Sequence, residues 1–226
     1  LGVTALITNV AIQKTTFKYE IPYMLLITAV LLVMGMTGNE ITFMEGVILW
    51  ILFIAYLLYL YLLAKKGNDG GDEQSVKLYP VWKCLLFIVL GGVCVVIGSQ
   101  FVVNGATTIA RACGMSERFI GLTIVAFGTS LPELVTSVSA ARKGNAGIAI
   151  GNIVGSNIFN ILFVIGTVAL ICPVPFESRF VIDTVVAILC GVLLWGGTIR
   201  HKELRKPCGV VMLLCYAAYF VYLAVM

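Results

Sequence analysis

The amino-acid sequence predicts an all-α membrane protein built on an inverted repeat, and three observations carry that prediction. First, 60% of the 226 residues are hydrophobic and 12% are charged, about half the charged share of a soluble globular chain. A soluble domain of this length needs more polar side chains to cover its surface. That excludes a cytosolic enzyme, a secreted disulfide scaffold and a disordered tail. Second, apolar runs long enough to cross a bilayer recur along the chain. Third, two separate segments repeat at nearly one spacing.

The apolar runs cover 21–36, 43–64, 81–103, 119–141, 146–172, 180–199 and 209–226. The opening residues, LGVTALITNV, read as the end of a further span. The count is therefore seven complete spans and one partial. No basic segment precedes an apolar core at Leu1, so no signal peptide is expected. After the second run, Lys65–Lys77 is rich in Gly, Asp and Asn and reads as a flexible loop rather than a calcium sensor. The run from Val81 continues into an amphipathic stretch over 104–113, with Gly114 as its stop and Ser116 as the cap of the next helix.

Lys and Arg divide 12 to 3 between alternate connections, which together make all 15. This places the 65–80 loop in the cytoplasm and the C-terminus outside, as expected for a multi-pass protein of a bacterial inner membrane. The basic residues form no patch, so lipid rather than nucleic acid is the expected partner. Oligomeric state is not legible. Seven cysteines show no CxxC or CxxH spacing. Cys84, Cys94, Cys190 and Cys215 sit inside apolar runs as small hydrophobes, and no disulfide framework is expected.

In the repeat, Gly2, Ala5, Leu6, Ile7 and Val10 match Gly166, Ala169, Leu170, Ile171 and Val174, a shift of 164. Gly46, Val47, Ala55, Tyr56, Tyr59 and Leu60 match Gly209, Val210, Ala218, Tyr219, Tyr222 and Leu223, a shift of 163. The shift spans five runs. Five is odd, so the copies point in opposite directions across the membrane. Inverted repeats mark secondary transporters, whose sites lie near the midplane where the repeats meet. The reading divides the chain into the end of a first half at 1–64, a linker at 65–80 and a second half at 81–226. It also implies a parent of ten spans, about seven and a half of which are present here.

Candidate chemistry concentrates in 121–166, two spans joined by a short basic turn. Glu133 lies about midway along the first. An ionisable group there costs several kcal/mol and marks a functional site by default. Pro132 has no N–H, so the Gly128 carbonyl loses its helical partner, and Gly128 loosens the backbone further. Freed carbonyls, the Thr129 and Ser130 hydroxyls and the Glu133 carboxylate make an all-oxygen nest of the kind hard cations take. In the second span Asn152, Ser156 and Asn160 recur every four residues as a polar stripe. Gly151 and Gly155 form a small-xxx-small pair that lets a helix approach closely. Ser156 and Asn160 read as ligands. Asn157 stays open between packing, a helix cap and ligation.

GTSLPEL followed by GNIVGSNIFN resembles the second α-repeat, here 118–166, of the cation/calcium exchanger superfamily, which includes sodium/calcium exchangers. The resemblance implies ten spans in two inverted halves, each contributing one α-repeat to a central ion site. It implies Thr129, Ser130 and Glu133 as ligands from the first motif helix, Ser156 and Asn160 from the second, and the Ala126 carbonyl as a backbone ligand to sodium. It also implies no cofactor; calcium and sodium or protons are the transported ions. Members that cotransport potassium usually carry Asp where this chain has Asn160, which argues against potassium dependence. The first α-repeat is absent from the sequence, so half a site is expected.

The expected activity is therefore antiport of calcium against sodium or protons, not enzymatic catalysis. Alternatives are a non-transporting remnant, a half-transporter that pairs with a partner chain, and an exchanger of another divalent such as manganese. An intramembrane hydrolase using Ser130 lacks a base, because the one histidine, His201, falls in a loop. The Tyr56/Tyr59 and Tyr219/Tyr222 pairs read as interfacial anchors. Glu40 and Glu45 read as a solvated turn, and Asp183 as a charge at a helix N-terminus.

Overall fold

A computed structural model of the chain describes residues 1–65, 80–115 and 120–225. Residues 66–79 of the 65–80 linker, with its acidic residues, and the Ser116 cap lie outside the described residues. The helices are α1 (Gly2–Ile7), α2 (Ile21–Gly38), α3 (Phe43–Lys65), α4 (Val81–Ala112), α5 (Ala126–Thr129), α6 (Leu131–Arg142), α7 (Ala146–Phe159), α8 (Gly166–Ile171), α9 (Ser178–Ile199) and α10 (Lys206–Val225). π-helical turns at 16–20 and 160–165 fuse with α2 and with α7–α8. A third, at 121–125, precedes α5.

Among the described residues six helices are long and apolar enough to cross a membrane. Thr123–Thr129 and Leu131–Arg142 form a pair bent by 48°, and the count is seven when that pair is one span. The six helices and the bent pair fall on the seven runs the sequence predicts. The run from Val81 and its amphipathic continuation form one helix of 32 residues, about 48 Å long at 1.5 Å per residue. Gly114, at φ +78°, ends it in the left-handed region as predicted.

The inverted repeat governs the packing. α1 and α8 each have six residues and end on extended backbone, at Thr8 (φ −150°, ψ 153°) and Cys172 (φ −152°, ψ 150°). A Cβ built on Gly46 would lie 3.0 Å from the Gly166 carbonyl oxygen, and one on Gly209 3.0 Å from the Gly2 carbonyl oxygen. So α3 crosses α8, and α10 crosses α1, at backbone distance. The glycines that reveal the repeat in sequence are the contact points in space. Helices in lipid associate through such close packing, because burial of apolar area gives little drive there.

Four two-residue strands go beyond the sequence reading: β1 (Val10–Ala11), β2 (Glu40–Ile41), β3 (Val174–Pro175) and β4 (Glu203–Leu204). β1 pairs with β4 and β2 with β3, both antiparallel. The registers Val10 to Leu204 and Val174 to Ile41 are the same pair under the repeat. Flanking bonds repeat too: the Ile12 N–H donates to the Lys202 carbonyl at 2.9 Å, and the Phe176 N–H to the Asn39 carbonyl at 2.7 Å. Asn39 (φ 55°) and Lys202 (φ 51°) hold the same left-handed turn. Two-residue segments carry no period-2 pattern, so sequence reading cannot find them.

The core lies between α2 and α7. Ile21, Ile27, Ile150, Val154, Ile158 and Leu162 are fully buried. α4 lies at the edge, with Thr107 and Ala110 its buried residues. No disulfide joins any of the seven cysteines, all of which lie among the described residues.

Two surface readings change. Asp183 lies in the second turn of α9 and accepts a 2.5 Å hydrogen bond from the Tyr219 hydroxyl of α10. It ties two helices together instead of compensating a helix end, and Tyr219 is more than an interfacial anchor. Glu45 accepts from the Thr42 N–H (2.7 Å) and hydroxyl (2.8 Å), a capping box that starts α3.

Gly46→Leu should destabilise the protein by about 1–3 kcal/mol through overpacking at the α3–α8 crossing. Gly98→Leu on α4, where nothing lies within 4 Å, should leave stability unchanged. Thermal unfolding of the two variants in detergent checks the contrast.

Candidate cation site

The site is a hairpin of α6 and α7, closed by a turn in which the Asn145 N–H donates to the Ala140 carbonyl at 2.9 Å and Gly144 takes φ +81°. One face of α7 is anchored: Ile150, Val154 and Ile158 are fully buried. The opposite face, four-residue spaced, carries Asn152, Ser156 and Asn160. Core packing therefore fixes which way the polar stripe faces.

The break before α6 has a covalent cause. Pro132 sits in the first turn of α6 and offers no N–H to the Gly128 carbonyl. Ser130 stands at the break with φ −92° and ψ 0°. Its N–H closes a tighter turn onto the Phe127 carbonyl at 3.1 Å. Ala126 opens α5 and Thr129 ends it; Thr129 and Ser130 are exposed. Gly128 has a second role that the sequence reading missed. A Cβ there would overlap the Val103 side chain, so this glycine lets α4 lie against the break.

Glu133 sits in the first turn of α6, where the positive end of the helix favours a carboxylate. Its Oε1 accepts from the Ser156 hydroxyl at 3.1 Å. Its Oε2 is buried with no hydrogen-bond partner among the described residues. A buried carboxylate oxygen without a partner carries a desolvation cost.

Asn152 makes the densest set of contacts across the hairpin. Its amide nitrogen lies 2.9 Å from the Thr136 hydroxyl, 3.1 Å from the Ser137 hydroxyl and 3.3 Å from the Glu133 carbonyl oxygen. Ser137, itself buried, donates to the Ala149 carbonyl at 3.2 Å. Thr136 and Ser137 were not singled out in the sequence. The available signal was their spacing, three and four residues after Glu133 on the same helix.

Asn157 is exposed, and its amide donates to the Ile153 carbonyl of its own helix at 2.8 Å. That favours the packing reading over ligation. Asn160 is exposed and opens the π-helical turn at 160–165. At Gly151 and Gly155 the expected close helix contact is not made by any described residue: nothing lies within 4 Å of a Cβ built on either. Among the described residues no three His, Cys, Asp or Glu side chains cluster. The hairpin thus offers one carboxylate and several neutral oxygens, a set for hard cations and not for thiophilic metals.

A broken span facing a polar-striped span, inside an inverted helical repeat, defines a multi-pass membrane transporter of the secondary type. Residues 1–62 and 83–225 match the sodium/calcium exchanger protein family, and the chain belongs to that family. It is 31% identical over 227 residues to the inner membrane protein YrbG of Escherichia coli, covering 94% of this chain and 68% of that one. It is 38% identical over 142 residues to the sodium/calcium exchanger MaX1 of Methanosarcina acetivorans, covering 62% of this chain and 41% of that one. Its fold matches the sodium-calcium exchanger NCX_Mj with a TM-score of 0.78 at 30% identity, covering 98% of this chain and 70% of that one. Membership of a transporter family weighs against the hydrolase alternative.

Ser137→Val should cost about 1–3 kcal/mol, since it leaves the Asn152 amide and the Ala149 carbonyl short of a partner in a buried setting. A lowered unfolding midpoint in detergent, with helical content unchanged, is the expected result.

Proposed function

We propose that this chain forms part of a calcium antiporter that exchanges calcium for sodium or protons by alternating access. The observation that carries the reading is the Glu133 carboxylate: one oxygen is held by Ser156 and the other is buried without a partner among the described residues. A cation supplies what that oxygen lacks. Family membership supports the class of substrate.

In this reading Glu133 provides the charge. The hydroxyls of Thr129, Ser130 and Ser156 and the side-chain carbonyl of Asn160 provide neutral oxygens. The Ala126 carbonyl provides a backbone ligand for sodium. Asn157 is an outlying candidate. Oxygen ligands of mixed type suit calcium, which accepts irregular geometry. A second carboxylate from elsewhere in the whole protein would bring the site to two negative charges. One calcium balances these, or two sodium ions. Ions that compete for overlapping ligands exclude each other, which makes the transport an exchange. The open face at Gly151 and Gly155 gives a neighbouring helix a smooth surface on which to shift between inward-open and outward-open states.

The proposed arrangement has two inverted halves, 1–64 and 81–226, joined by a cytoplasmic linker at 65–80. The C-terminus lies outside the inner membrane. The 12 to 3 division of Lys and Arg supports that orientation.

The test is calcium-45 uptake into proteoliposomes holding the longest in-frame chain, under an imposed sodium or proton gradient. Uptake is expected under one of the two gradients, which names the counter-ion. Glu133→Gln is expected to reduce it to background. Uptake that survives in Glu133→Gln, or transport of manganese in preference to calcium, overturns the reading.

A further inference from the structure

We infer that Asn152 is a positioning residue of the cation site: its amide locks α6 onto α7 and so holds Glu133 in register with Ser156. The inference rests on the site reading above and adds a residue to it that is not a ligand.

Each hydroxyl near the Asn152 amide has a single hydrogen to give. The Thr136 hydroxyl commits its single hydrogen to its own helix, with the Pro132 carbonyl at 2.9 Å and the Glu133 carbonyl at 3.1 Å. The Ser137 hydroxyl commits its single hydrogen to the Ala149 carbonyl at 3.2 Å. Both therefore present only lone pairs to the Asn152 side chain. The Glu133 carbonyl oxygen, the third neighbour, is an acceptor by nature. Three acceptors converge on one position of α7, at 2.9, 3.1 and 3.3 Å. A side chain with two hydrogens on one atom serves the two nearer acceptors, the hydroxyls, without bringing a charge, and the 3.3 Å carbonyl shares one of those hydrogens. The Asn152 amide does so, and this polarity also fixes which end of the amide is nitrogen.

The consequence reaches the site because the contacts flank it. Asn152 is one turn before Ser156 on α7, and its acceptors are Glu133 itself and the residues three and four beyond. If the lock is lost, the hairpin shifts, and the 3.1 Å contact of Ser156 with Glu133 shifts with it. Ligand sets respond steeply to displacements of about 1 Å.

Asn152→Asp is the diagnostic change. It keeps the shape and replaces the donor by a carboxylate facing three acceptors. In calcium-45 exchange by the longest in-frame chain, it should raise the half-saturating calcium concentration about tenfold or more, the usual scale for a residue that orients metal ligands. The maximal rate should change less. Asn152→Ser, which keeps one donor hydrogen, should fall between Asp and wild type. Thr136→Val, which removes the nearest acceptor at equal volume, should shift half-saturation in the same direction by less.

Wild-type half-saturation in Asn152→Asp, with Glu133→Gln inactive, overturns the positioning role and leaves the site reading standing. Loss of maximal rate at unchanged half-saturation overturns it as well, since that is bulk misfolding. If Asn152→Asp does not yield folded protein, Thr136→Val decides, and unchanged half-saturation there overturns the inference. Exchange that persists in Glu133→Gln removes the site reading and this inference with it.

Discussion

A carboxylate inside a membrane span is the constraint on which the rest of this hairpin depends. Placing Glu133 in an apolar span costs about 3 kcal/mol on insertion scales and more in an isolated helix. The chain offsets part of that cost locally. Glu133 sits in the first turn of α6, so the helix end favours its charge, and Ser156 donates to one of its oxygens. That helix end exists because Pro132 breaks the span. The break survives at membrane depth because it is packed: α4 lies against Gly128, and α7 lies along α6. One acidic side chain thus accounts for a proline, a glycine, a serine and the contact of two helices.

The scaffold around the hairpin answers a different requirement. In lipid, apolar side chains have no preference for each other over lipid tails, so association needs close contact or backbone pairing. Both occur here in symmetric duplicate. Gly46 against Gly166 and Gly209 against Gly2 bring helix backbones together. The β1–β4 and β2–β3 bridges stitch the segments between helices across the two halves. Every one of these contacts joins one repeat to the other. The segments related by the repeat therefore depend on each other for packing.

The repeat also relates polar positions near the helix ends. Asp183 bonds Tyr219, and the repeat partner of that pair is Glu20 with Tyr56. Tyr56 stacks on Tyr23, whose hydroxyl donates to the Leu52 carbonyl at 2.8 Å. Tyr219, which reads as an interfacial anchor in sequence, is also a cross-tie between helices, and Tyr56 stacks across to the neighbouring helix. A hydroxyl on an aromatic ring serves either purpose, and only its neighbours distinguish them.

What the sequence determines by itself is whatever covalent chemistry and periodicity dictate. Seven spans follow from apolar length, inversion from an odd repeat shift, the break from a missing N–H at Pro132, and the polar stripe from spacing of four. The family follows from a motif dense enough to be specific. What needed the tertiary structure was every choice of partner. Residue spacing leaves open what the Asn152 amide meets; the structure puts three acceptors around its nitrogen. It leaves open whether Gly128 is small for bending or for contact; Val103 shows that contact is part of it. The strands β1–β4 are too short for a local pattern and exist only because the repeat brings their partners alongside. Local sequence specifies which groups a helix presents, and the packing of distant segments decides what those groups meet.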